Sequence, residues 1–303
     1  MPQAALPYLL VTLAPLFWAG NFVLARALHE SLPPVALSFW RWALAGLILL
    51  PFAWSGLWPQ RRLLLRHWKV LGLLGLLGVT NFNTFVYLGL QTTTATNAVL
   101  LQSITPLLIL GLSAPLLGQP VRGHQALGIL LSLAGVAAIV ARGNLAGLAG
   151  LRLNQGDLWV LAAAASWALY SVCLRWRPAE LSPVSFLAAS ILAGTLPLLP
   201  LYLWDLGRNG GFAVNAQSLG AIGYVAVFPS LLAYLFWNRA VVELGANRTG
   251  QFMHLMPVFG ALLSALLLGE HWHRFHLAGA GLIAAGIWIS SRGRTTRSRV
   301  SSG

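Results

Sequence analysis

Along the chain, apolar stretches of about 20 residues alternate with turns of a few polar ones, and a helix of that length covers about 30 Å of hydrocarbon. The sequence divides into ten such stretches, at approximately 6–28, 34–55, 68–90, 94–117, 124–141, 157–176, 181–204, 217–240, 246–268 and 274–291. They are numbered spans 1 to 10 in chain order. The longest connection, residues 142–156, leaves no room for an extramembrane domain. No basic segment precedes the first apolar run, which outlasts the core of a cleaved signal and is therefore read as span 1. The expected fold class is an all-α polytopic membrane protein.

Composition sharpens this. Of 303 residues, 57% are apolar and 8% charged, with mean hydropathy +0.74, whereas soluble domains carry about 25% charged residues. A water-soluble globule is excluded. The net charge of +13 comes from cations at the ends of apolar runs rather than along one face, so it reads as topological and nucleic acid is not an expected partner. Cys173 is the single cysteine, so neither a disulfide framework nor a thiolate metal site can form. With the N-terminus cytoplasmic, that side holds Arg61, Arg62, Arg66, Lys69, Arg122, Arg175, Arg177, Arg239, Arg292, Arg294, Arg297 and Arg299. The other side holds Arg26, Arg142, Arg152, Arg208 and Arg274. Twelve against five places both termini in the cytoplasm and requires an even number of crossings.

The two halves repeat. Trp18-Ala19 with Arg26 recurs as Trp167-Ala168 with Arg175, and Pro34-Val35 and Pro51 recur as Pro183-Val184 and Pro200, all at an offset of 149. Ala95, Pro106, Gly118, Gly128 and Gly135 match Ala246, Pro257, Gly269, Gly279 and Gly286 at 151. The expected organisation is a first repeat over 1–141 (spans 1–5), a linker over 142–156, a second repeat over 157–291 (spans 6–10) and a basic tail over 292–303. Five is odd, so the second repeat must enter the bilayer from the opposite side. Inverted repeats enclosing a midplane site, exposed to alternate sides by rocking, are how many secondary transporters are built.

Several local motifs point the same way. They are Gly156-Asp157-Leu158 and Ser166-Trp167-Ala168-Leu169-Tyr170 in span 6, Tyr234-Leu235-Phe236-Trp237-Asn238-Arg239-Ala240 in span 8, and Pro257 followed by Leu268-Gly269-Glu270. With these the chain resembles the drug/metabolite transporter superfamily in its EamA-type, ten-span branch, over about residues 8–291. It looks most like the YddG-type amino-acid exporters. The resemblance implies export of amino acids, aromatic and other neutral ones, or of related small metabolites. The acid expected after Pro106 is Gln119 in the first copy, which counts against any role needing both acids.

Polar side chains deep in spans are costly and face the bundle or a cavity, so their spacing marks the inner face. Trp18 and Asn21 in span 1 match Trp167 and Tyr170 in span 6. Asn83 and Tyr87 in span 3 match Tyr234 and Asn238, flanked by Trp237, in span 8. Gln102 precedes Pro106 in span 4, and Gln251 and His254 precede Pro257 in span 9. These twelve residues are the expected lining of a wet central hollow. Aromatic rings, amides and one imidazole suit an amphipathic organic solute rather than an inorganic ion. Drugs, cationic dyes, purines or sugars are the alternative cargo, and an integral-membrane enzyme or a non-transporting scaffold the alternative class. The residue-by-residue alternative is ordinary helix-to-helix bonding or an interfacial aromatic belt.

Other residues read as structural. Trp54, Trp58, Trp68 and Trp288 sit at span ends and are expected in the belt. Gly128, Ser132 and Gly135, with Gly279 and Gly286, are expected to pack spans 5 and 10 closely. Arg41 is expected to snorkel to the interface or pair with Glu30 rather than to hold a substrate carboxylate, and Arg26 to pair with Glu30. All six acids lie in loops or near span ends, which favours gradient-driven export over proton coupling. His254 is the one candidate for such coupling and reads more simply as a packing residue. Glu270-His271-Trp272-His273-Arg274-Phe275-His276 matches no metal-ligand spacing. No metal or cofactor is expected. The expected partners are a small-molecule substrate and membrane lipid, and the expected oligomeric state is a monomer in a bacterial-type inner membrane.

Overall fold

The computed structural model describes residues 5–143, 154–268 and 273–291. Among the described residues, eight helices are long and apolar enough to cross a membrane: Leu6–Ala27, Pro34–Leu57, Trp68–Thr92, Ala95–Leu117, Gly123–Val140, Gln155–Trp176, Pro183–Asn209 and Ala216–Leu244. These are spans 1 to 8. Span 9 is assembled from Ala246–Gly250, a 3₁₀ stretch Gln251–Leu255 and Met256–Leu268, and span 10 is Arg274–Ser291. A six-residue helix, Arg61–Arg66, joins spans 2 and 3. The basic tail, Glu270 and most of the linker lie outside the described residues.

The surface is apolar where a soluble protein's is polar. Leu47 and Phe52 on span 2, Leu196 on span 7 and Leu266 on span 9 are about two-thirds or more exposed, whereas Arg41, Asn83 and Gln102 are buried. This is a chain solvated by lipid. Trp54, Trp58, Trp68 and Trp288 are exposed near span ends, as a belt requires.

Internal symmetry is visible in how the spans meet. Where spans 5 and 10 cross, Cβ atoms added to Gly128 and Gly135 would collide with the backbone of Gly286 and Gly279 respectively. Position rises along one helix as it falls along the other, so these equivalent helices run antiparallel. Spans 2 and 7 behave likewise: Trp40 Nε1 donates to Tyr202 OH at 3.1 Å near one end, and Gly56 faces Ser185 near the other. The repeats are therefore inverted about a pseudo-two-fold axis perpendicular to the helices. A contact between a residue and its own repeat equivalent maps onto itself and must lie on that axis. Trp18–Trp167, Asn83–Tyr234, Ser103–His254 and Ser132–Ile283 are four such contacts.

The irregularities repeat as well. Span 3 widens into a π-helical turn over Leu76–Asn81 and span 8 over Val227–Leu232, the same positions shifted by 151. Span 4 is interrupted at Ser103-Ile104, just before Pro106, and span 9 over Gln251–Leu255, just before Pro257. Proline lacks the amide hydrogen that would continue the ladder, and neighbouring helices re-satisfy the freed carbonyls.

The ends of the spans are tied together. At one end, here the 28–33 end, Arg26 Nη1 donates to the carbonyls of Leu90 at 2.8 Å and Gln91 at 3.4 Å, closing the last turn of span 3. Arg26 thus does not pair with Glu30, whose neighbour is His29 at 3.9 Å. The C-terminal carbonyls of a helix carry partial negative charge and compete successfully for the guanidinium. Asp157 is buried, accepting from Thr93 Oγ1 at 2.6 Å, Asn97 Nδ2 at 2.8 Å and the Asn154 amide at 2.9 Å. It fastens the N-terminus of span 6 to span 4. At the opposite, 58–67 end, Gln60 Nε2 reaches the Glu180 carbonyl at 3.4 Å.

Candidate functional site

Nine of the twelve expected lining residues meet at the middle of the bundle. Trp18 stands edge-on to Trp167 with ring centroids 5.1 Å apart, and Trp237 lies 5.3 Å from Trp18 and 5.5 Å from Trp167. Tyr234 meets Trp167 at 5.1 Å and Tyr170 meets it at 4.9 Å. Phe82 and Trp42, which periodicity did not single out, extend the cluster at 4.6 Å from Trp167 and 4.9 Å from Tyr234. Each such ring pair contributes about 0.5–1.5 kcal/mol beyond its burial.

Two hydrogen bonds flank the rings and are images of one another. Tyr87 OH donates to Asn21 Oδ1 at 2.8 Å, and Tyr170 OH donates to Asn238 Oδ1 at 2.8 Å. Asn21 occupies the place of Tyr170 in the other repeat, and Tyr87 that of Asn238. The same bond is thus built with donor and acceptor exchanged.

The π turns supply the backbone of the site. Gly78 and Pro229 are equivalent, 151 residues apart, and both offer carbonyls to side chains of the opposite repeat. Tyr234 OH donates to Gly78 O, and Asn83 Nδ2 lies 3.3 Å from the same oxygen and 3.2 Å from Tyr234 OH. Trp18 Nε1 donates to Pro229 O at 3.0 Å, and so does Arg41 Nη2. π turns recur at functional sites because they free a carbonyl from the helix ladder.

Arg41 corrects a second expectation. It neither snorkels nor pairs with Glu30: it is fully buried. Its Nε donates to Ser230 Oγ at 2.5 Å and its Nη1 to Tyr87 OH at 2.7 Å and Asn21 Oδ1 at 3.2 Å. All its hydrogen-bond partners are neutral. A cation at the centre of a membrane helix costs about 2.5–3.5 kcal/mol even on the lenient insertion scale. In the second repeat its place is taken by Ser190, so the charge breaks the symmetry.

The remaining three expected residues stand apart, at the interruptions of spans 4 and 9. His254 Nε2 donates to the Ser103 carbonyl at 2.9 Å, and Gln251 Nε2 bonds Ser290 Oγ. Gln102 is buried, with neither side-chain polar atom hydrogen-bonded among the described residues.

The expected wet hollow is not at the centre. Trp18, Trp167, Tyr234 and Trp237 fill it, each at most 2% exposed, because four large rings packed together occupy the room a cavity would need. Space lies to either side. A cavity of about 460 Å³ at the 28–33 end is walled by Ala19, Phe22, Thr96, Pro257 and Arg142. Two smaller ones at the 58–67 end, of about 330 and 210 Å³, include Asn238 with Phe186 and Ser171 with Arg175. A plug of rings with a chamber on each side is an occluded arrangement.

Known proteins are similar in sequence and in fold. The EamA-like transporter family matches residues 5–141 and 154–292. The "Uncharacterized transporter YyaM" of Bacillus subtilis (strain 168) is 29% identical over 279 residues, 91% of this chain and 90% of that protein. The "Probable terminal-alkyne amino-acid exporter" of Streptantibioticus cattleyicolor is 25% identical over 285 residues, 94% of this chain and 93% of that one. A solved crystal structure superposes with a TM-score of 0.72 at 21% identity, over 94% of this chain and 96% of that one, and shows the same fold.

Proposed function

Because the chain belongs to the EamA-like transporter family and is a multi-pass membrane protein, we propose that it exports amino acids or related small metabolites by alternating access through the central ring cluster. The carrying observation is that both repeats contribute equivalent aromatic and amide side chains to one plug on the pseudo-two-fold axis, with a cavity at each end. Rocking one repeat against the other would part the rings toward one chamber and close them toward the other. Rings grip an apolar side chain, and amides satisfy ammonium and carboxylate. The relative named as an amino-acid exporter supports that cargo class.

The distribution of Lys and Arg supports a plasma membrane location with the 58–67 end cytoplasmic and both termini inside. The protein acts as a monomer, since each chain carries both halves of the site. The test is counterflow of labelled amino acids and of cationic dyes through proteoliposomes holding only this protein. Uptake of neutral amino acids is the expected result. Exchange of dyes alone would reassign the cargo, and no exchange of any solute would end the carrier reading.

A further inference from the structure

The hydrogen-bonding capacity left over at the centre is all of one kind. Among the buried polar side-chain atoms around the ring cluster, three have no hydrogen-bond partner among the described residues: Trp42 Nε1, Trp167 Nε1 and Asn238 Nδ2. Each is an N–H donor. Trp42 and Trp167 are fully buried and Asn238 is 5% exposed. Arg41 lies beside Trp42, its guanidinium 5.2 Å from the centre of that ring, and of its five N–H groups four are used, all on neutral acceptors; Asn238 stands on the other flank of the rings with Tyr170. A spare cation and a surplus of donors, with no carboxylate bonded to them, describe a receptor for an anionic acceptor group.

The approaches agree with the centre. The cavity at the 28–33 end is bordered by Arg142, His273 and His276 and by no acid among its lining residues. The smaller cavity at the other end is bordered by Arg175 and Arg177, again without an acid. In the remaining cavity the one acid, Glu243, is already engaged by Arg239 Nε at 2.7 Å. Among the described residues lining these mouths, cations outnumber acids, which favours the approach of a negatively charged group.

Building on the amino-acid reading, we infer that Arg41 is the anchor for a carboxylate on the cargo, with the unpartnered Nε1–H of Trp42 beside it, so that a free carboxylate is required for transport. The carboxylate exchanges with a neutral partner of Arg41, Tyr87 or Asn21, as the rings part. Those partners belong to spans 1 and 3 of the same repeat, whereas Ser230 and Pro229 belong to the other. Arg41 therefore feels both cargo and the relative position of the repeats.

The test compares solutes sharing one side chain in counterflow through proteoliposomes: phenylalanine, phenylalaninamide, which lacks the carboxylate, and N-acetylphenylalanine, which lacks the ammonium. The wild-type protein should carry both carboxylates at least tenfold faster than the amide. Arg41→Gln should remove that preference, Arg41→Lys should keep part of it, and Trp42→Phe, which retains a ring but no N–H, should raise KM for the carboxylates alone by several-fold. Equal rates for amide and carboxylates in the wild type overturn the proposal and leave the carrier reading standing. So does an equal loss for all three solutes in Arg41→Lys and Trp42→Phe, which need no change of fold and decide the matter even where Arg41→Gln does not insert. Failure of the wild type to carry any of the three overturns the amino-acid reading itself.

Discussion

Single residues here are governed by the cost of polar groups away from water. Asn238 is held by one bond from Tyr170, and Asn238→Ala leaves that hydroxyl buried without its acceptor, at about 1–3 kcal/mol. Counterflow should fall by about tenfold, the kinetic equivalent of about 1.4 kcal/mol, with membrane insertion retained. An unchanged rate removes Asn238 from the site. Asp157 accepts three hydrogen bonds at the start of span 6, so Asp157→Ala should lower thermal stability by about 2 kcal/mol in a detergent melt. The residues whose placement was legible in the sequence are those fixed by periodicity: Trp18, Asn21, Trp167 and Tyr170 share the inward face their spacing gives them. Arg26 and Arg41 were not legible, because an arginine reaches far enough that spacing along its own helix does not reveal which neighbouring carbonyls or hydroxyls will take it.

At the scale of the element, close packing of small residues stands in for a hydrophobic effect that lipid cannot supply between helices. Ser132 and the glycines at 128, 135, 279 and 286, expected as close-packing positions, form a seam between spans 5 and 10. Gly286→Ala would drive its Cβ into Ser132 and the Gly128 carbonyl, and should destabilise the protein by about 1–3 kcal/mol in the same melt. Two further seams, Gly75 against Gly194 and Gly89 against Gly156, escaped sequence reading. Each joins non-equivalent spans, so the repeat that exposed the first seam is silent about them. The π turns were likewise invisible. Leu76–Asn81 and Val227–Leu232 share no residue type that marks a widened turn: Pro229, which cannot continue the ladder, has Gly78 in its place in the other repeat, and the two turns receive Tyr234 and Trp18 with Arg41.

For the whole molecule, the inversion bears on the proposed rocking of one repeat against the other. Gly56 on span 2 and Ser185 on span 7 belong to opposite repeats, and a Cβ on Gly56 would stand 3.6 Å from that of Ser185, within the range of a disulfide. In a Cys173→Ala background, Gly56→Cys with Ser185→Cys should stop counterflow on oxidation and recover it on reduction. Exchange that continues through the oxidised pair would show that this end does not open. Asp157 and Asp205, the buried acids among the described residues, both lie near span ends. Collapsing the proton gradient in cells should therefore leave efflux largely intact, and its abolition would restore His254 as a coupling residue.

Length, hydropathy and an internal repeat were enough to determine an all-helical membrane chain, the limits of its eight membrane-length helices to within a few residues, and the antiparallel relation of the halves, with ten crossings consistent with the structure. Those properties follow from one-dimensional constraints: the thickness of hydrocarbon, the hydrogen-bonding demands of a backbone in lipid, and the parity of five spans. Tertiary structure alone decided that the centre is filled by rings rather than water, that the chambers lie at the two ends, and that one arginine is buried among neutral partners. These depend on which side chains from helices distant in sequence reach the same few cubic ångströms, and packing competition of that kind leaves no trace in the spacing of any single helix.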